Sequence, residues 1–319
     1  MSLLSKQPRV SAVIPTRNRP ELLRRALMSV LAQTIEDLEA VVVIDGPDPA
    51  TIAMLEGIDD PRVNVVALPH SVGGSNARNI GAQMASGRWI ALLDDDDEWV
   101  PEKTAVQLEL AEQAGDRCFV VSEFIRRSDV EGDSLRPARL PGNDEPLSEW
   151  LFSRQCGFQT SSFFCSRKLF LEVPFMPGLK GCQDLDWFLR LVAAPDVKLV
   201  ICRQPLAIFY VAENRTSVSR VMDVEVRLNW GRASRQFMTR RAYSLFVFHT
   251  CATRAAAEPF SLVVFARLFY ECAFVGKPDL QTLAHLVALF FVPRSVRHKV
   301  RDWTAAGSIA TPTPAKPAV

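Results

Sequence analysis

Trp89-Ile90-Ala91-Leu92-Leu93-Asp94-Asp95-Asp96-Asp97 is the stretch that decides the fold. Five apolar residues run without alternation into four consecutive aspartates. An unbroken apolar run of this length reads as a strand buried on both faces, as in parallel sheets covered by helices. Crowded aspartates repel one another, so a cluster at the end of a buried strand asks for a compensating cation. Hard divalent ions take carboxylate oxygens and share them with substrate phosphates. A solvated acidic turn is the plain alternative for any acidic run. The position of this one, after a strand and before Trp99, Pro101 and a helical pattern, favours a metal and phosphate site.

Upstream the same strand pattern recurs. Residues 10–14 read as a buried strand ended by Pro15, 38–44 as a valine-rich second strand and 63–68 as a third. Pro20 suits the first turn of a helix whose Leu23, Ala26, Leu27, Val30 and Leu31 recur at helical spacing. A short helix passes through Ile52 and Leu55. Gly73-Gly74 opens another, with Ala77, Ile80 and Met84 on one face and Gly87 beyond its end. Strands alternating with helices predict a parallel sheet covered on both faces. In such sheets ligands bind at the carboxyl ends of the strands. Asn18, Asp45, the 70–74 loop and the four aspartates all fall at those ends, with His70 read as a loop residue.

Downstream the pattern is looser. Residues 129–146 read as loops, 147–152 as a short helix and 161–165 as a strand. A helix starts near Cys182, and 197–202 and 207–211 read as late strands. Helices follow Val221, and the Ala/Pro/Thr-rich end reads as disordered. The expected division is 1–220 for the α/β unit, 221–304 for a helical C-terminal region and 305–319 for a tail.

The chain has 37 Lys and Arg against 36 Asp and Glu, a net charge of +1, which gives no ground for a nucleic-acid partner. Residues 221–305 nevertheless hold 12 cationic and 6 acidic side chains. There Leu280, Leu283, Leu286, Val287, Phe290 and Phe291 crowd one helix, and Arg294, Arg297, His298, Lys299 and Arg301 follow directly. An apolar helix beside a basic cluster suits an anionic membrane surface, here through 280–301; a helical cap packed on the protein is the alternative. The seven cysteines form no C-x-x-C pair and read as reduced, mostly buried thiols. Residues 1–9 lack a signal-peptide core. No uncharged apolar run reaches the roughly 18 residues that span a bilayer. These features predict a cytoplasmic protein, either free or peripheral on the inner face of the membrane.

Five motifs carry a family resemblance. They are Val13-Ile14-Pro15-Thr16-Arg17-Asn18-Arg19, Val42-Val43-Ile44-Asp45-Gly46, Gly73-Gly74-Ser75-Asn76-Ala77-Arg78-Asn79, Asp94-Asp95-Asp96-Asp97-Glu98-Trp99 and Gln183-Asp184-Leu185-Asp186-Trp187. In order and spacing, over about residues 8–215, the chain resembles the inverting family 2 glycosyltransferases with a GT-A fold. The resemblance implies an α/β fold with a mostly parallel central sheet flanked by helices, here with a helical C-terminal extension. It implies metal-assisted transfer of a sugar, with inversion, from a UDP- or dTDP-linked donor. The acceptor would be a hydroxyl on a glycan or lipid-linked molecule, in glycan or polysaccharide biosynthesis.

The resemblance also assigns roles. Pro15, Thr16 and Asn18 would meet the nucleotide, and Asp45 would accept the N3–H of a uracil-type base. Gly73 and Gly74 would let the donor approach the backbone, with Arg78 near the diphosphate. Asp96, with Asp94, would hold Mg²⁺ or Mn²⁺, and Asp94 or Asp95 would hold ribose or water. Asp97 and Glu98 read as a polar rim or a helix N-terminal acidic pair. Asp184 would be the general base, a helix N-cap being its structural alternative. Asp186 falls on another face of that helix and reads as an orienting or arginine-pairing residue. Arg17, Ile44 and Gln183 depart from the family, which has an aromatic, a second acidic residue and Glu there. A non-catalytic nucleotide-sugar-binding or scaffold protein and a nucleotidyltransferase are the other classes. Retention of both the metal aspartates and the base favours a transferase.

Overall fold

The computed structural model describes residues 7–211 and 223–292. Its first half alternates as the apolar pattern predicts: β1 (Val10–Thr16), α1 (Pro20–Leu31), β2 (Leu38–Ile44), α2 (Pro49–Glu56), β3 (Val63–Ala67), α3 (Gly74–Met84) and β4 (Trp89–Leu92). These four strands pair in parallel in the order β3-β2-β1-β4. Every residue of β2 and β4 is buried, which accounts for the unbroken apolar sequence of β4 and the Ala40–Ile44 run of β2; the one charged residue, Glu39, accepts bonds from Ser11, Asn64 and Ser86. Helix α1 buries Leu23, Ala26, Leu27 and Val30. Helix α3 approaches so closely that a Cβ on Gly81 would stand 2.4 Å from Val13 Cγ1. Pro15 does not end β1 as expected; it pairs with Val43. The β4 ladder stops at Val13, so the missing N–H of Pro15 leaves no β4 bond unmade.

The sheet continues through β5 (Glu98–Trp99), β6 (Cys118–Ser128), β7 (Ser134–Arg136), β8 (Phe164–Ser166) and β9 (Lys198–Val211). Between these lie α4 (Lys103–Ala114), α5 (Leu147–Leu151), α6 (Arg167–Glu172) and α7 (Gln183–Val192). The order runs on as β4-β8-β6-β9-β5, with β8 antiparallel to both neighbours. Three differences from the sequence reading stand out. Strand β6 had no assignment. The two late strands are one, β9, with a register shift opposite Ser122–Phe124. Residues 160–162 form a 3₁₀ turn ahead of the short β8 rather than part of a strand.

Beyond residue 222 the chain is helical, with helices Val224–Ala233, Arg240–Phe246, Leu262–Tyr270 and Leu280–Phe291. They join the sheet unit through one continuous apolar cluster that includes Trp187, Phe188, Leu228, Trp230, Phe246 and Leu286. Trp230 Nε1 also donates to Asp186 Oδ1 at 3.1 Å. The helix Leu280–Phe291 is divided: Leu286 is buried and Leu283 and Phe290 partly so, while Leu280, Val287 and Phe291 are exposed. Among the described residues no helix is long and apolar enough to cross a membrane. All seven cysteines are free and six are buried. The expected boundary at 220/221, the basic cluster 294–301 and the tail 305–319 lie outside the described residues.

Candidate active site

The chain leaves β4 directly into the acidic turn. Asp94 and Asp96 are partly exposed, whereas Asp95 and Asp97 are buried. Asp95 accepts the Thr16 hydroxyl at 2.8 Å and Arg19 Nη1 at 3.1 Å, so it ties the end of β1 to the end of β4. Thr16 and Asp95, both expected at the donor, are thus bonded to each other. Burial raises the Asp95 carboxyl above its ordinary value, while the Arg19 cation and the Thr16 hydrogen bond work against that. Burial raises the Asp97 carboxyl well above the ordinary range, and the charges of Asp96 and Asp94 add to the effect.

Oxygens of Asp94, Asp96 and Asp97 lie within 4.8 Å of one another. An anionic, all-oxygen donor set of this kind fits Mg²⁺ or Mn²⁺ rather than a softer metal. Asp94 and Asp96 are the members with solvent access, so they are the ones that can share an ion with a phosphate.

Asp97 and Glu98 are not a polar rim. Asp97 is 1% exposed and accepts the Ser161 hydroxyl at 2.6 Å and the Tyr210 amide at 3.3 Å. Glu98 lies in β5, paired with Arg25 at 2.9 Å and bonded to the Tyr210 hydroxyl at 2.6 Å. The turn folds back so that its fourth aspartate points into the protein.

Arg78, in the second turn of α3, reaches from the acidic turn to the start of α7. Its Nη2 bonds Asp94, its Nη1 donates to Gln183 Oε1 at 3.2 Å, and its Nε is buried without a hydrogen-bond acceptor among the described residues. A Cβ on Gly74 would lie 3.2 Å from both Arg78 Nη1 and Gln183 Oε1, so glycine there leaves room for this junction. The next residue is Asp184. Burial raises its carboxyl above the ordinary value and the Asp94 charge adds to that; the Leu185 amide and the Arg78 cation act in the opposite sense. Asp184 thus follows directly on the residue that Arg78 ties to Asp94. Asp186 faces elsewhere, bonded to Arg190 at 2.8 Å and to Trp230.

The residues that the resemblance assigns to the nucleotide lie on loops and strand ends. Asp45 is buried, and its carboxylate accepts Val72 N at 2.6 Å, Ser71 Oγ at 2.8 Å and Gly73 N at 3.1 Å. It therefore shapes the loop that delivers Gly73 and Gly74. Pro15 is partly exposed at the end of β1, and His70 is exposed without a bond to any of these groups. Asn18 is exposed in a left-handed backbone conformation, φ 54°. Its amide donates to Asp48 Oδ2 at 2.6 Å.

Several residues that hold this arrangement escape the sequence reading. Asp48 also caps α2 through Thr51 N at 3.1 Å. Asn79 exchanges two 2.9 Å bonds with the backbone of Phe175 and fixes the chain that leads to α7. Ser161 grips the acidic turn, and the segment carrying it is gripped in turn. Trp99 Nε1 donates to Ser161 O and Gln107 Nε2 to Ser162 O, both at 2.8 Å. Lys103, fully buried, bonds Gln107 at 2.5 Å and lies 4.1 Å above the Trp99 ring. Buried polar groups demand partners, but a sequence does not say which partner each finds.

Comparison with known proteins bears on the family and the fold. The family model described as Glycosyl transferase family 2 matches residues 11–173. The chain is 27% identical over 271 residues to the amylovoran biosynthesis glycosyltransferase AmsB of Erwinia amylovora, covering 82% of this chain and 90% of that protein. It is 28% identical over 136 residues to WfgD of Escherichia coli, a UDP-Glc:alpha-D-GlcNAc-diphosphoundecaprenol beta-1,3-glucosyltransferase; the match covers 42% of this chain and 53% of WfgD. Among solved structures, S. aureus TarS 1-349 in complex with UDP-GlcNAc superposes with a TM-score of 0.61 at 14% identity. That match covers 91% of this chain and 83% of TarS 1-349 and shows a shared fold.

Proposed function

The chain belongs to glycosyl transferase family 2, and from that premise we propose a metal-assisted, inverting transfer of a sugar from a UDP- or dTDP-linked donor to an acceptor hydroxyl. The observation that carries the reading is Arg78, which joins Asp94 on the acidic turn to Gln183 beside Asp184. Diphosphate, ion and base would then stand around one guanidinium. Asp94 and Asp96 would hold Mg²⁺ or Mn²⁺, which when bound supplies Lewis-acid stabilisation of the departing nucleoside diphosphate. Arg78 would offer its charge to the diphosphate.

Asp184 would accept the proton of the acceptor hydroxyl as that oxygen attacks the anomeric carbon opposite the leaving group. A carboxylate raised by burial holds that proton better than an exposed one. Pro15, Asn18, Gly73 and Gly74 would line the nucleotide, with the loop shaped by Asp45. Thr16 and Asp95 would support it from behind.

The UDP preference rests on the WfgD name and the TarS complex, and the glycan or lipid-linked acceptor on the AmsB and WfgD names. Residues 1–220 would be the transferase unit and 221–304 its helical extension. The setting would be cytoplasmic, with peripheral contact at the inner membrane face in polysaccharide biosynthesis.

The test is a panel of nucleotide sugars incubated with the full chain and Mn²⁺ or Mg²⁺, with product analysis. Release of a nucleoside diphosphate, dependent on the ion and with an inverted anomeric product, is expected. Nucleotidyl transfer, retained configuration or full activity in excess chelator would each refute the corresponding part.

A further inference from the structure

A single guanidinium bridges two carboxylates of the acidic turn. Arg19 Nη1 lies 3.1 Å from Asp95 Oδ1 and 3.4 Å from Asp96 Oδ2. Arg25 Nη2 donates to the Asp96 carbonyl at 2.6 Å, and Arg78 bonds Asp94. The protein thus brings its own cations to the oxygens that fit a divalent ion. A guanidinium and a metal ion compete for the same lone pairs, and their charges repel when both are close.

Resting on the metal reading above, we propose that Arg19 is a positioning residue that competes with the divalent ion for Asp96 and turns to the donor diphosphate once the ion binds. The geometry separates Arg19 from Arg78 in this respect. The Arg78 side chain is 11% exposed and is held from a second side by Gln183. Arg19 is 32% exposed, stands on the turn after β1, and has its longer contact with Asp96. Both contacts are made by Nη1, so leaving Asp96 would keep the bond to the buried Asp95 and hold the side chain beside the site while one Nη1 N–H is freed. A planar fork of N–H donors matches phosphate oxygens.

The consequence is coupling. An ion arriving alone displaces a guanidinium that has no new partner. An ion arriving with a diphosphate displaces one that gains phosphate oxygens. Ion and diphosphate therefore strengthen each other's binding, and by linkage the effect is reciprocal.

The experiment titrates Mn²⁺ into the full chain and follows free Mn²⁺ by electron paramagnetic resonance, with and without UDP. Wild type is compared with Arg19→Gln, and with Arg19→Met as a second variant should the first melt below wild type. Arg19 is partly exposed, so neither change opens a core. The expected result is about tenfold tighter Mn²⁺ binding by the variant in the absence of UDP. The factor by which UDP enhances Mn²⁺ binding should shrink by about the same amount. A folded variant that binds Mn²⁺ no tighter than wild type, with the UDP enhancement unchanged, overturns the inference alone. If wild type binds no Mn²⁺ even with UDP, the metal reading itself fails and the inference with it.

Discussion

The Ser161 hydroxyl donates to the buried Asp97 carboxylate at 2.6 Å and accepts the amide of Asp94 at 3.1 Å. One side chain from the 3₁₀ turn thereby fixes both ends of the acidic turn. Ser161→Ala removes the donor and, among the described residues, leaves the Asp97 carboxylate with the 3.3 Å Tyr210 amide bond alone. An uncompensated buried acceptor costs about 1–3 kcal/mol. The variant should melt a few degrees below wild type and bind Mn²⁺ with UDP several-fold more weakly. An unchanged Mn²⁺ titration would reduce Ser161 to a stability residue.

Asp184 and Asp186 are two residues apart and have different surroundings. Asp184→Asn keeps the shape and loses the proton acceptor. Its turnover should fall by on the order of 10²–10⁴ with nucleotide affinity retained. Asp186→Asn breaks the ion pair with Arg190 and disturbs the bond from Trp230, so its main effect should be on thermal stability. Measuring kcat, UDP affinity and melting temperature on both variants separates the roles. Crippled turnover in Asp186→Asn beside a mild Asp184→Asn would reverse the assignment.

What could be read from the sequence, and what could not, follows from how each signal arises. The strands β1, β2 and β4 announce themselves because a strand buried on both faces is mostly apolar, with Ser11 and Glu39 as the buried polar exceptions, bonded to each other. Helices α1 and α3 show in their spacing. Strand β6 does not, because its second half carries Arg126 and Arg127 at a partly exposed end. The run of apolar and acidic residues marks the four aspartates as a group, and only the family resemblance ranks them. Only the fold of the turn places Asp95 against Thr16 and Asp97 against Ser161 while leaving Asp94 and Asp96 accessible. Ser161 itself reads as strand, since its bonding to Asp97 crosses 64 residues.

Asp97 gives a pH prediction. Its folded carboxyl is raised by burial and by Asp96 and Asp94. Between the unfolded value and that raised value the folded chain binds more protons than the unfolded chain. Its contribution to stability is therefore greatest at low pH and declines as pH rises through that window. Lys103 and His249, both lowered by burial, run the other way, so the useful measurement is a difference. Asp97→Asn does not titrate. Its unfolding free energy relative to wild type should rise with pH, by at most about 1.4 kcal/mol per unit. Parallel stability curves from pH 5 to 8, with the two proteins a constant distance apart, would show that Asp97 does not titrate there.

The helical extension offers a sharper surface than 280–301 alone suggested. Val263 is 78% exposed and Leu280 87%, and Phe260, Leu262 and Phe291 are also exposed. The Phe260 and Phe291 rings are 5.6 Å apart, and Phe291 meets Phe265 edge-on at 4.8 Å. The start of the helix Leu262–Tyr270 and the end of Leu280–Phe291 thus form one apolar patch. In sequence, Arg294, Arg297, Lys299 and Arg301 follow within ten residues of Phe291. Apolar side chains next to cations suit shallow insertion among anionic headgroups, each cation contributing about 1 kcal/mol near the surface. The full chain should co-sediment with vesicles containing anionic lipid, less with neutral ones, and less again at high salt. Leu262→Ser with Val263→Ser should weaken sedimentation by removing the insertion. Arg294, Arg297, Lys299 and Arg301 changed to Gln should abolish its salt dependence. Leu262 and Val263 are exposed in the helical extension and are not among the donor-site residues, so UDP affinity should hold in the Leu262→Ser, Val263→Ser variant. Equal sedimentation of wild type and the Leu262→Ser, Val263→Ser variant would assign this patch to something other than lipid.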